Sequence, residues 1–315
     1  MADVMVRFDT ADDRGQLLLV TALALAVMLV TVALLLNTAI FTENVATRDT
    51  TADGREAIEL RAEAVDSVGA LIETENRAGG GDPDDVDAAI DAMGPMVDRE
   101  RARHGTIATV SRNGSATAGQ LLQWTNPDTA RPFDDPGTDW TLVDSLSESR
   151  AFTLELTDIG SLSDPSDTEI ENQALAVRFV NESAENRTLY LYEDGGHAIV
   201  EQANETAPPS QQCMVDTDGG STTVDLTGDR LSTANTAVDC YRGLWPDNSP
   251  EAIEFRNAGA ADGTFSLVVD DGASPTSDAA VQDHPAVYSV MVDISYTSQE
   301  LDFETTVRVT PGEPR

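Results

Sequence analysis

The chain has 315 residues and is strongly acidic: 56 Asp and Glu stand against 19 Arg, lysine is absent, and the net charge is −37. Such a surface repels itself in dilute buffer, and the repulsion is screened when the Debye length falls to about 3 Å in molar salt. The composition therefore indicates a protein from an extreme halophile. It excludes nucleic acid as a partner, because no basic patch could neutralise phosphates.

An uncharged stretch from residue 16 to residue 42 is the strongest pattern in the sequence. As a helix, its core at residues 17–36 would rise about 30 Å, which matches the hydrocarbon thickness of a bilayer. A cleaved secretory signal has an apolar core of only about 7–15 residues. The pattern therefore predicts a retained apolar helix at residues 16–42, either membrane-spanning or pilin-like.

Arg14, Gly15 and Gln16 stand directly before this stretch. The junction resembles the class III signal peptide of archaeal type IV pilins, in which a prepilin peptidase cuts after the glycine. The resemblance implies that residues 1–15 are a cytoplasmic leader, removed by cleavage between Gly15 and Gln16. It also implies that the apolar helix first anchors the subunit and later packs with other pilins. The residues themselves leave a plain single-pass anchor open.

The wider layout resembles an uncharacterised haloarchaeal family of pilin-like membrane proteins. The resemblance is clearest over about the first 55 residues and continues more loosely into an acidic β-rich region containing "FTLELTDIG". It implies that the chain is related to membrane and surface proteins, but it implies no established activity.

Two amphipathic helices are predicted after the apolar stretch. Apolar side chains recur at helical spacing over residues 55–77. Asp82 and Pro83 then open a second helix that reaches about His104, with an interruption predicted at Gly94-Pro95. The acids that follow Asp82 are typical of a first helical turn, where they meet the helix dipole. We therefore predict a helical stalk over residues 43–104, with Ile58, Ala62, Val65, Val68 and Ile72 on its apolar face.

From residue 105 onward the hydrophobic period changes to two. Strands are predicted at "AFTLELT", "ALAVRFV", "RTLYLYE" and "TFSLVVD", and a hairpin joins residues 288–296 to residues 301–309 through "TSQE". The predicted fold class is therefore α+β: a long N-terminal transmembrane helix and helical stalk, followed by an antiparallel β-rich, sandwich-like domain at 105–315.

Cysteine usage and sequons indicate that this β-rich region is outside the cell. Cys213 and Cys240 are the two cysteines, and an even pair in an exported domain predicts a disulfide. N-x-[S/T] sequons follow the apolar stretch and none precedes it. Each lies in a polar, loop-like stretch that could accept a glycan, at Asn113, Asn181, Asn186 and Asn204.

Catalytic signatures are nearly absent from the sequence. It contains no HExxH and no GxSxG, and its histidines, His104, His197 and His284, lie far apart. Asp216 and Asp218 begin like a calcium loop, but Thr227 stands where an EF-hand requires Glu, so a polar turn explains the stretch as well. We therefore predict no catalytic residue, no cofactor and no enzyme activity.

These patterns predict a membrane-anchored surface protein: a minor pilin-like structural or accessory component of a type IV pilus-like filament in a haloarchaeon. Its expected partners are membrane lipid and pilin-like proteins that pack against the apolar helix. The N-terminus would lie inside the cell and the C-terminal domain outside. The alternative is a non-polymerising single-pass envelope protein whose ectodomain binds a ligand or partner, and an exported hydrolase is the third reading.

Overall fold

The computed structural model describes residue 28 and residues 54–314, except 79, 125–138, 163–164, 183, 218–219, 242, 247–248 and 276–280. The helices within this part are α1 (residues 54–78), α2 (Pro83–Arg103) and α3 (Asp167–Gln173). The strands are β1 (Ile107–Arg112), β2 (Thr117–Trp124), β3 (Trp140–Asp144), β4 (Ser149–Ile159), β5 (Leu175–Val180), β6 (Arg187–Asp194), β7 (His197–Asn204), β8 (Ser210–Asp216), β9 (Thr222–Asp225), β10 (Arg230–Thr233), β11 (Ala237–Asp239), β12 (Ala252–Arg256), β13 (Ala261–Asp270), β14 (Ser274–Pro275), β15 (Gln282–Thr297) and β16 (Asp302–Val309).

Two antiparallel sheets form the body of the protein. One has nine strands in the order β1-β15-β2-β13-β4-β9-β10-β11, with β16 paired to β15, and the other has seven strands in the order β14-β3-β12-β5-β6-β7-β8. Their facing side chains form the largest core. Its aromatic members include Trp140, Phe152, Phe255 and Phe265, with ring centroids between neighbouring members 4.9–6.4 Å apart. Edge and tilted ring contacts of this kind add to the stabilisation from burial.

A second core lies under α1 and α2. Strand β15 pairs with β2 along its first half and with β1 and β16 along its second half. The second half presents alternate buried residues to the helices, which matches the period of two in the sequence. The two helices contribute Ala57, Leu60, Ala64, Val68, Ile72, Val86 and Ile90 to this core.

The two helices of the predicted stalk pack as a layer on the larger β-sheet and do not form a separate stalk. The buried side of α1 follows Ala57, Leu60 and Ala64, whereas the predicted face began at Ile58, whose side chain is 66% exposed. Helix α2 also passes through Gly94 and Pro95 without a break. A Cβ on Gly94 would lie 2.6 Å from the Val110 carbonyl oxygen, so the glycine permits close packing of α2 on β1.

The predicted α+β fold class, with a long transmembrane helix and a stalk, is therefore wrong. The described residues are mainly antiparallel β sheet, and their two longer helices bury their apolar sides on that sheet because an amphipathic helix is stable only when that side is covered. No described helix combines the length and apolarity needed to cross a bilayer. The apolar stretch at 16–42 lies outside the described residues apart from Met28, as do Gly15 and Gln16.

Several local predictions are confirmed. The quoted strand sequences correspond to β4, β5, β6 and β13, except that Ala174, the first residue of "ALAVRFV", caps the end of α3. The hairpin is β15 and β16, paired from Val290 with Val309 to Thr297 with Asp302. Asp82 caps α2 by accepting a hydrogen bond from the Asp84 N–H, and Pro83 is the first helical residue.

The peptide group of Val287 joins the helix layer to the β-sheets. It lies at a register shift between β15 and β2. Its N–H donates to Asn76 Oδ1 at 2.7 Å, and its carbonyl oxygen accepts from Asn76 Nδ2 at 3.0 Å. Asn76 is buried near the end of α1, so this amide satisfies a backbone group that the local strand pairing leaves without a partner.

Replacing Asn76 by Ala should lower the free energy of unfolding by about 3 kcal/mol, because the Val287 N–H would remain buried without an acceptor. Denaturant unfolding in molar salt measures the change. Thr74→Ala is the matched control on the same helix, since the Thr74 hydroxyl donates only to the Ala70 carbonyl at an exposed position. Equal losses in the two variants would contradict the assigned role of Asn76.

Candidate functional site

A bulge in β4 sets up the most unusual side-chain cluster of the described chain. Ala151 has a φ of 53°, in the left-handed region, and β4 and β13 change register between Ser266 and Val268. The Ala151 N–H donates to the Gly312 carbonyl at 2.7 Å. A bulge redirects the side chains around it, so Phe152 faces the main core while Arg150 reaches the strand β15.

Arg150 is a buried cation held mainly by backbone carbonyl groups. Its Nη2 donates to the Val287 oxygen at 2.8 Å and its Nη1 to the Pro311 oxygen at 2.6 Å. Burial lowers the pKa of Arg150, and the charges of Glu73 and Glu313 act in the opposite direction. Since the pKa of a free arginine exceeds 12, the guanidinium remains charged at neutral pH.

Two guanidinium groups lie close to the Tyr288 ring. The Arg150 Cζ is 5.7 Å from the centre of the Tyr288 ring, and the Arg308 Cζ is 5.6 Å from it, both within cation–π range. Arg308 also pairs with Glu148 and with Glu313. Burial and these two carboxylates raise the pKa of Tyr288, so its hydroxyl stays protonated and can donate a hydrogen bond.

Tyr288 and the two carboxylates beside it border a polar cleft of about 520 Å³. Glu148, Asp229, Trp245, Tyr288 and Glu313 contribute to its walls. Tyr288 is 1% exposed, and its hydroxyl has no hydrogen-bond partner among the described residues. The walls offer carboxylate acceptors, but the lining residues described contain no histidine that could activate a nucleophile. The arrangement is suited to binding a polar ligand.

The predicted disulfide is confirmed. Cys213 in β8 and Cys240, which follows β11, are bonded, with their Cα atoms 4.7 Å apart. These strands are the last members of the seven-stranded and the nine-stranded sheet, respectively. The Tyr241 N–H also donates to the Gln212 carbonyl at 3.0 Å beside the bond. The disulfide therefore joins the two sheets at one side of the main core.

The structure brings three of the four predicted sequons together. Asn181, Asn186 and Asn204 lie around the β5–β6 and β7–β8 connections, and the Asn186 Oδ1 accepts from the Asn181 N–H at 2.9 Å. Asn181 and Asn204 line the same cleft of about 330 Å³. Asn113 lies apart from them, exposed between β1 and β2.

Of the two candidate calcium residues, Asp216 lies in the described part of the chain. Asp216 ends β8, and its Oδ1 lies 2.9 Å from the His197 Nε2, while Asp218 lies outside the described residues. Of the acids near the start of α2, Asp87 is buried, and its Oδ1 accepts from the Ala116 N–H at 3.0 Å. Within the described ranges, no three His, Cys, Asp or Glu residues are placed to hold a metal ion.

Sequence patterns alone do not identify Asn76, Arg150 or Tyr288 as a connected group. Tyr288 fits the alternation of β15, and Asn76 occupies an ordinary polar position near a helix end. The one signal in the sequence is the position of Arg150, a charged residue directly before the apolar alternation of "AFTLEL". In the structure its side chain is only 1% exposed. Their connection depends on contacts between residues more than 130 positions apart.

Removing the disulfide with the double change Cys213→Ala and Cys240→Ala should lower the free energy of unfolding by about 3 kcal/mol, because the unfolded chain regains the entropy of an open loop. Chemical denaturation of the oxidised protein and the double variant measures the difference. A reductant should destabilise the parent chain by a similar amount and leave the double variant unchanged. A reductant effect on the variant would show that the loss has another cause.

Comparison with known proteins adds one similarity. Residues 11–139 match a family of unknown function, DUF7261. This range includes the apolar stretch, both long helices, β1 and β2, and it is less than half of the chain. No curated protein and no solved structure matches the chain. The chain is therefore similar over its first part to a family without an assigned activity.

Proposed function

We propose that the chain is a membrane-anchored surface protein, acting as a minor pilin-like component or accessory of a type IV pilus-like filament in a haloarchaeon. One observation carries the proposal. The uncharged stretch at residues 16–42 is followed closely by α1, and α1 is fixed along its length to β1, β15 and β16 by a shared core. The β-sheets are thus rigidly connected to the helix that follows the apolar stretch.

This connection suits a protein that must hold a domain against an anchor. A force on α1 passes into β15 through the Asn76 hydrogen bonds and the apolar core beneath the helix. Strand β15 then distributes it to β2, β1 and β16. The Leu, Ala and Val side chains of residues 16–42 would pack against lipid or against the equivalent stretch of other pilin-like proteins.

Three features support a location outside the cell for the described domain. The Cys213–Cys240 disulfide persists in an oxidising setting and is uncommon in a reducing cytosol. The sequons follow the apolar stretch, and the net charge of −37 suits direct contact with concentrated salt. The Arg14-Gly15-Gln16 junction further resembles the processing site of archaeal pilins.

The N-terminal peptide of the native protein tests the proposal. Mass spectrometry of membrane and sheared-surface fractions should find chains that begin at Gln16. Gly15→Val should leave the leader attached, because the peptidase site requires a small residue at the cut. Gly54→Ala should be processed normally, since a Cβ there meets no neighbouring atom. A parent chain that keeps Met1 or Ala2 would overturn pilin-type processing.

A second candidate function is favoured by the cleft at Tyr288. In this proposal the chain is a single-pass envelope protein that does not polymerise, and its β domain binds a polar ligand. The carboxylates of the cleft and the unpartnered phenol support it, because a buried hydroxyl without a partner is costly unless something outside the chain satisfies it.

Tyr288→Phe tests whether that hydroxyl is reserved for a ligand. The ligand-free variant should be at least as stable as the parent, since the hydroxyl contributes no hydrogen bond among the described residues. Tyr192→Phe should instead lose about 1–2 kcal/mol, because the Tyr192 hydroxyl donates to Glu201 Oε1 at 2.8 Å. Thermal and chemical unfolding compare them, and equal destabilisation would contradict the second candidate.

A further inference from the structure

We propose that Asn204 is the sequon asparagine that carries an N-linked saccharide, and that Asn113, Asn181 and Asn186 stay unmodified in the folded protein. The inference rests on the proposed location of the β domain outside the cell. All four residues satisfy the same short motif, so sequence alone ranks them equally. The structure separates them by the state of the amide nitrogen that the saccharide must occupy.

In three of the sequons that nitrogen is already engaged. The Asn113 Nδ2 donates to Asp293 Oδ1 at 3.0 Å, and the Asn181 Nδ2 donates to the Ser249 carbonyl at 3.1 Å. The Asn186 carboxamide is held at both ends: its Nδ2 donates to Glu205 Oε1 at 2.7 Å and its Oδ1 accepts from the Asn181 N–H. A saccharide on any of these nitrogens would displace a hydrogen bond.

Asn204 has the opposite arrangement. Its Oδ1 accepts from the Thr206 N–H at 3.0 Å, from the Thr206 hydroxyl at 3.1 Å and from the Ala207 N–H at 2.7 Å. Its Nδ2 has no partner within the described part of the chain. The hydroxyl of the sequon thus bonds the carboxamide that is to be modified. This fixes the amide plane and leaves the nitrogen without an intramolecular acceptor among the described residues.

The contact with Asp293 strengthens the contrast for Asn113. Hydrogen bonds from Thr306 and then from Asn113 lower the pKa of Asp293, so this carboxylate stays ionised and keeps its attraction for the Asn113 amide. Among the described residues, no comparable acceptor holds the nitrogen of Asn204.

The transfer is a substitution at the anomeric carbon of a polyprenyl phosphate-linked saccharide. The Asn204 Nδ2 forms a bond to C1 of the first sugar, and the bond from C1 to the phosphate oxygen breaks. The lipid phosphate leaves with that electron pair, and the amide nitrogen loses one proton to the surrounding water. No oxidant or reductant takes part, and the Asn204 carboxamide keeps one N–H.

The cleft beside Asn204 could bind the first sugar. Phe179, Pro246 and Pro250 line the cleft of about 330 Å³ that Asn204 borders, and they provide apolar walls for the C–H face of a pyranose. Gln202 lines the same cleft, and its Oε1 is buried without a hydrogen-bond partner. A sugar hydroxyl is a donor that could satisfy this oxygen.

Glycopeptide mass spectrometry of the full chain, purified from a haloarchaeal host, tests the inference. The parent chain should carry a saccharide on Asn204 and none on the other three asparagines. Thr206→Ala should reduce occupancy at Asn204 at least tenfold, while Thr206→Ser should retain it. Thr188→Ala, which breaks the sequon of Asn186 in the same way, is the matched control and should leave Asn204 occupancy unchanged.

The outcomes distinguish this inference from the proposed function. A saccharide on Asn113, Asn181 or Asn186 with Asn204 bare would overturn the inference. A chain with an intact Cys213–Cys240 disulfide in the surface fraction and no saccharide would overturn it too, while leaving the surface location standing. Reduced cysteines in a cytosolic chain would overturn the proposed function itself.

Discussion

The arrangement of the described domain depends on how the peptide group of Val287 is satisfied. This group lies in β15, which contributes to the core beneath the helices and pairs with β1, β2 and β16 in the larger sheet. A buried N–H and C=O cannot be left without partners at a register shift. Asn76 and Arg150 supply them, and in doing so they connect α1, β4 and β15. Helix and sheets therefore form one mechanical unit.

The charges of the described residues lie mainly on the surface, and Arg150 is a buried exception. A surface with a net charge of −37 repels itself, and exposed ion pairs such as Arg101 with Glu63 add little to stability, least of all in concentrated salt. Stability must then come from the apolar cores and from buried polar contacts. Arg150 fits this requirement, because backbone carbonyls and the Tyr288 ring bind it at positions that solvent ions do not reach.

The functional proposals use different parts of this unit. The apolar stretch would hold the chain at a membrane or in a filament, and α1 transmits that attachment to the sheets. The disulfide joins the edges of the two sheets. Near the β7–β8 connection, Asn204 presents its amide nitrogen beside a cleft. A saccharide there would add a neutral, hydrated group to an otherwise acidic surface.

Sequence alone determined the elements whose signal is local: the main strands, the β15–β16 hairpin, the cap of α2 and the cysteine pair. It did not determine how the helices are used. Amphipathic spacing shows that one side of α1 must be buried, but it does not name the partner, and the spacing counted from Ile58 placed that residue on the wrong side. Tertiary structure alone decided the contacts of Asn76, Arg150 and Tyr288 and the differing states of the four sequon amides. Those properties depend on residues distant in sequence, and no periodicity or short motif encodes such contacts.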